Sequence, residues 1–101
     1  MFVNYETGGF VYILASGMAG TVYVGVTSDL VKRVSEHRAG INCKFTSKYK
    51  IHRLVYFEEL GSIQDAIARE TQLKGWRRNW KIRLIEKTNP KWDDLFSGLV
   101  R

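Results

Sequence analysis

The sequence predicts an α+β domain, a small three-stranded and mainly antiparallel sheet flanked by helices, formed as a single unit over residues 1–101. Three observations lead there. Two short runs rich in Val, Ile and Tyr are joined by Gly17-Met18-Ala19-Gly20, the pattern of a β-hairpin. A third apolar run, Leu54-Val55-Tyr56-Phe57, follows after a polar stretch. The remaining segments carry helical spacing with capping residues at their starts. A chain of this size buries roughly two-thirds of its unfolded surface, enough for one modest core.

Taken in order, residues 1–8 read as a loose start, with Gly8-Gly9 as punctuation. Val11 to Ser16 is the first strand and Thr21 to Val26 the second. A two-residue loop (17–18) or a four-residue loop (17–20) makes paired residue numbers sum to an odd number. Tyr12 and Tyr23 then share a face, opposed directly or diagonally, whereas a one- or three-residue loop would separate them; the even lengths are preferred for a hairpin. Val22, Val24 and Val26 take the core face, and Gly25 marks a place where another group must come close. Thr27 or Ser28 caps a helix with Asp29 in its first turn, Leu30 and Val34 facing inward, and an end at Arg38-Ala39-Gly40. Arg33 and His37, four apart, lie on one face of it.

Residues 40–50 read as a polar, basic loop around Phe45. His52 to Leu60 is the third strand, placed centrally. Ser62-Ile63-Gln64-Asp65 starts a second helix with an apolar seam of Ile63, Ala66, Ile67 and Leu73. With Ile63 at 0°, Ile67 falls at about 40° and Leu73 at about −80°, so Glu70, at about −20°, points inward with them. Gly75 breaks that helix, and Asn79 caps a third through Glu86. Asn89-Pro90 opens a short last helix, packed down by Trp92, Leu95 and Phe96. Trp76 and Trp80 are read as core.

Sixteen Lys+Arg against ten Asp+Glu give a net charge of +6, which favours a polyanionic partner. No apolar run reaches the roughly eighteen residues of a membrane span, and no basic-then-apolar leader precedes the domain. A lone Cys43 cannot form an intramolecular disulfide and fits a reducing, cytoplasmic setting. The chain holds no zinc-ligand set, no phosphate-binding glycine loop and no Ser/His/Asp order.

Tyr12 and Tyr23, eleven residues apart on paired strands, with Tyr23-Val24-Gly25 and then Arg33, resemble the signature of the GIY-YIG nucleases. The first element departs from it, reading Phe10-Val11-Tyr12 with Gly9 displaced by one position. The later Glu70 and the Asn89-Pro90-Lys91-Trp92 segment resemble the small standalone bacterial members of that superfamily. The resemblance implies a GIY-YIG-like fold and a metal-dependent phosphodiester hydrolase of the DNA-processing or DNA-repair kind, with DNA favoured over RNA. It implies that one of Tyr12 and Tyr23 is the general base while the other positions water or phosphate, and the sequence does not choose between them. Arg33 and His37 would hold the phosphate, Glu70 would bind a single Mg²⁺ or Mn²⁺, and Asn89 would help complete the site.

Each of these residues also has an ordinary reading. The tyrosines are common strand residues, Arg33 a solvated helix charge, His37 a hydrogen-bonding histidine, Glu70 the partner of an arginine, Asn89 a cap. Gly25, Lys44, Lys48, Arg77 and Arg78 are the expected substrate contacts, the cations tracking a phosphate backbone in a salt-dependent, sequence-blind way. A nucleic-acid-binding module without turnover is the alternative. A protein partner supplying specificity is expected for a chain with no attached recognition domain, and the oligomeric state is left open.

Overall fold

The computed structural model describes residues 8–100. All but the last residue of the expected loose start falls outside them. Strand β1 (Gly9–Ala15) pairs antiparallel with β2 (Val22–Thr27) on one side and with β3 (Arg53–Leu60) on the other, so β1, not β3, is central. The reason is compositional. β1 is apolar on both faces and every residue from Val11 to Ala15 is buried, whereas β3 carries Arg53, Glu58 and Glu59, charges that an edge strand tolerates.

Tyr12 pairs with Gly25 and Leu14 with Tyr23, the odd-sum register. Ser16 N–H donates to the Thr21 carbonyl, leaving the four-residue loop 17–20. The two tyrosines therefore sit diagonally on one face. Val11, Ile13 and Ala15 point to the other face, where Val24, Val55, Ala66, Leu73, Ile85 and Trp92 complete the larger core cluster. Tyr12 and Leu14 join Leu30, Val34, Ile51 and Leu54 in a second cluster. A register shift between Ile13 and Leu14 leaves Val55 without a partner on β1.

Helix α1 (Leu30–Ala39) starts on Asp29, whose carboxylate accepts from Lys32 N–H, rather than on Thr27 or Ser28. Thr27 instead accepts from Asp29 N–H in the turn that delivers the cap. The helix ends at Gly40 with φ +77°, as its sequence predicts. The expected loop beyond it contains a short helix, α2 (Lys44–Lys48). Five residues are too few for a periodic signal, and only Thr46 of the five is buried.

Helix α3 (Ile63–Lys74) is capped by Ser62 and packs on β1 and β2. Ala66 and Leu73 are buried, while Ile67, assigned to the seam, is 49% exposed. Gly75 does separate α3 from α4 (Arg78–Thr88), but Arg77, not Asn79, is the N-cap and makes no side-chain cap bond. No helix begins at Pro90; the last one is α5 (Phe96–Leu99). Trp92 is fully buried, but Trp80 is 46% exposed, so only one of the two tryptophans read as core, Trp76, packs against it.

Gly9 explains the displaced glycine of the first strand. A Cβ there would lie 2.7 Å from Ala66 Cβ and 3.0 Å from the Ile63 backbone, so α3 can seat on β1 only over a bare backbone. Gly9→Ala is expected to destabilise the domain by about 1–3 kcal/mol by forcing α3 outward. Denaturant unfolding monitored by circular dichroism would check this, and wild-type stability would remove the packing argument.

Candidate functional site

The site begins with the contact between Tyr12 and Gly25. A Cβ at Gly25 would fall 2.3 Å from both Cζ and Oη of Tyr12, so the phenol lies across a strand position that only glycine leaves open. The close neighbour foreseen at Gly25 is thus the protein's own tyrosine. Tyr12 is 1% exposed, and its ring centroid stands 6.5 Å from Tyr23 and 5.7 Å from His37. Tyr23, which is half-buried, lies 5.5 Å from His37. Two strands and α1 therefore bring these three rings together.

His37 is fully buried and bonded at both ring nitrogens, Nε2 to Tyr12 Oη at 3.0 Å and Nδ1 to Thr46 Oγ1 at 2.7 Å. The Thr46 hydroxyl donates to the Cys43 carbonyl at 3.3 Å, so its oxygen is left to accept from His37 Nδ1–H. Nε2 is then the acceptor for the Tyr12 phenol. Burial, followed by the Arg33 charge, pushes the imidazole down to about 4. Burial also pushes the Tyr12 phenol up to about 12; Tyr23 adds to this and Arg33 opposes it. Near neutral pH the pair is a neutral phenol donating to a neutral imidazole.

Arg33 lies on the same helix face as His37, and its charge opposes the effect of burial on the Tyr12 phenol. Its Nη1 donates to Glu36 Oε1 at 2.9 Å and its Nη2 to the Asn42 carbonyl at 3.0 Å. Tyr23, Arg33, His37, Lys44, Phe45 and Thr46 line a cleft that opens beside Tyr23. From α3, Glu70 presents a carboxylate that is only 15% exposed and accepts from Lys74 Nζ at 2.8 Å. Its charge acts on the Tyr12 phenol. Among the described residues no three His, Cys, Asp or Glu side chains surround a cation position. A lone hard-oxygen donor still suits Mg²⁺, which keeps most of its waters and takes one or two carboxylates.

Other expected contacts are placed elsewhere. Asn89 is buried and its polar atoms are spent on the Val55 carbonyl, the Asp93 carbonyl and Asp93 N–H. It closes α4 onto the unpaired position of β3, and none of these partners belongs to the tyrosine cluster. Arg78 donates to the Ala19 and Gly20 carbonyls, fastening α4 to the hairpin loop, while Arg77 is exposed at the start of α4. Lys44 lines the cleft from the start of α2, and Lys48 is the last residue of the same helix. Buried Cys43 directs its thiol at the Glu36 and His37 carbonyls at the end of α1.

The sequence reading did not place Thr46, Glu36 or Lys74 at the site. The spacing signals for the latter two were present, Glu36 three residues after Arg33 and Lys74 four after Glu70. Thr46 had none, because its partner lies across a loop.

The sequence model of the GIY-YIG catalytic domain matches residues 8–83, a span holding both tyrosines, Arg33, His37 and Glu70. The chain belongs to the GIY-YIG family. A UPF0213 protein of Pediococcus pentosaceus is 33% identical to it over 79 residues, covering 78% of this chain and 83% of that one. A UPF0213 protein of Staphylococcus aureus is 35% identical over 78 residues, covering 77% and 94%. The solution NMR structure of a UPF0213 protein from Bacillus halodurans superposes with a TM-score of 0.54 at 28% identity, covering 86% of this chain and 92% of the other. GIY-YIG membership makes this a nuclease-type, nucleic-acid-processing domain. Among the described residues no helix is long and apolar enough to cross a membrane.

His37 is expected to carry its proton on Nδ1 and to stay neutral down to about pH 5, observable in ¹⁵N NMR of the ring. Its lowered pKa means that the unfolded chain binds more protons between about 6.5 and about 4. Stability therefore falls as pH drops through that window and is fully retained above it. Thr46→Val removes the acceptor at Nδ1 and should move the proton toward Nε2; an unchanged spectrum would refute the assigned tautomer.

Proposed function

We propose that this GIY-YIG protein is a metal-dependent nuclease that hydrolyses phosphodiester bonds in nucleic acid, with DNA favoured over RNA, in the cytoplasm. The reading rests on one arrangement above all: a phenol, a guanidinium and a histidine lining one cleft, with a second, buried phenol bonded to that histidine and sensing the charge of a largely covered carboxylate. A pure binding role would not require a largely covered carboxylate on the helix packed against the tyrosine strands.

Tyr23 is the group that meets the attacking water. It borders the cleft, whereas Tyr12 is buried and already donates its proton to His37. A phenol at that position can take the proton that the attacking water gives up. Arg33 holds non-bridging phosphate oxygens in its planar fork and stabilises the charge that builds as water adds and the P–O bond breaks. Its present partner, Glu36, is a partly exposed i,i+3 pair of the weak kind that a phosphate can replace. Tyr12 and His37 hold the ring cluster in position and keep water out of its floor. Glu70 would hold a single Mg²⁺ or Mn²⁺, which supplies Lewis-acid charge for the phosphate and a lowered pKa for the water. Lys44 and Lys48 bring the strand to the cleft, with Arg77 a more distant phosphate contact.

The second reading, binding without turnover, is favoured by the ion pairs that engage Glu70 with Lys74 and Arg33 with Glu36. Cleavage of end-labelled DNA and RNA in Mg²⁺ or Mn²⁺, against EDTA, separates the two. The expected result is metal-dependent cutting that falls about 100-fold or more in Glu70→Ala and in Arg33→Ala, with Arg33→Lys also impaired because it lacks the fork. Cutting untouched by Glu70→Ala would sink the proposal. Salt-sensitive binding without cutting would establish the binding module.

A further inference from the structure

Phe45 and Tyr49 are each 51% exposed, and α2 places them one turn apart on the same side. Their centroids are 4.9 Å apart, and Phe45 stands 6.2 Å from Tyr23. Aromatic rings thus step from the surface down to the candidate base without interruption. Neither outer ring serves the core, since the buried residue of α2 is Thr46. Lys48 Nζ lies 5.4 Å from the Tyr49 ring centroid, and Lys44 and Lys50 flank the same segment. Flat apolar faces with ammonium groups alongside suit a ligand that is itself alternately flat and anionic.

We infer that α2 is a stacking platform for unpaired nucleobases, so the substrate of the tyrosine cluster is single-stranded nucleic acid. The inference rests on the nucleic-acid reading above and narrows it. Bases in a duplex bury their faces against one another at about 3.4 Å and offer none to a protein ring. Stacking on aromatic side chains is insensitive to base identity, and lysines contribute a salt-dependent hold on the backbone. Phe45 and Lys44 line the cleft together with Tyr23 and Arg33, so a strand held on the platform passes its phosphates to the site.

The test is fluorescence-anisotropy binding of one labelled sequence as single-stranded DNA, single-stranded RNA and blunt duplex, in EDTA so that no cutting intervenes. Wild type is compared with Phe45→Leu/Tyr49→Leu, which keeps apolar surface but removes the flat faces, and with Lys44→Gln/Lys48→Gln. Circular dichroism checks that each variant is folded. Single strands should bind at least about tenfold tighter than duplex. The double leucine variant should lose roughly 10- to 100-fold on single strands at an unchanged salt slope, whereas the glutamine variant should lower the slope by about 0.7 per lysine. Equal or tighter binding of duplex, full single-strand affinity in the leucine variant, or rings that serve only self-association of the protein would each overturn the inference. Duplex cleavage that ignores the platform would leave the nuclease reading standing without it. Ring-dependent single-strand binding with no cleavage in Mg²⁺ would do the reverse.

Discussion

The Tyr12 phenol lying across Gly25 is the constraint on which the rest of the site depends. An antiparallel pair offers only a few ångströms between opposed side chains, and a full tyrosine fits over its neighbour strand only where that strand has no side chain of its own. Once seated, the phenol can reach a helix one layer away and bond His37, which fixes where α1 lies above the sheet. Arg33, one turn earlier on α1, then lies where its charge acts on the same phenol. The order of contacts is sheet, phenol, imidazole, and each is placed by the one before it.

The electrostatics follow from that packing. A buried phenol and a buried imidazole both resist ionisation, in opposite directions, so their shared proton stays on oxygen near neutral pH. This makes Tyr12 and His37 a rigid neutral pair rather than an acid and a base in waiting. Charge is kept at the margin, on Arg33, Glu36, Lys74 and Glu70, where ion pairs are partly solvated and can exchange partners. Rigidity at the floor and exchangeable charge at the rim are what an anionic substrate requires.

Much of this was legible in the chain itself. An even loop length, preferred for a hairpin, put the tyrosines on one face, and the structure supplied the four-residue loop that settles it; helical phase alone turned Glu70 inward. What escaped the sequence depended on contacts between distant segments. β3 and β1 are both apolar, and only the charges of β3 hinted at which lay at the edge. Thr46 bonds a histidine on another helix, a pairing that no local spacing announces. Asn89 looked like a helix start because Asn-Pro so often is one, yet the unpaired carbonyl of Val55 drew its side chain into the core. Trp80 carried the usual expectation for tryptophan and lies at the surface instead.

Helix α2 has two sides with different obligations. Its inner side supplies a single hydroxyl to the buried imidazole; its outer side holds rings and lysines that owe nothing to the core. Its ends are pinned, by the left-handed Gly40 on one side and fully buried Ile51 on the other. Such a segment behaves as an exchangeable cassette. Provided one hydroxyl returns to the same point, its outer residues can be rewritten without disturbing the sheet, the phenols or α1. Diversification of what relatives recognise would then accumulate between those two fixed ends, while the chemistry beneath them stayed the same.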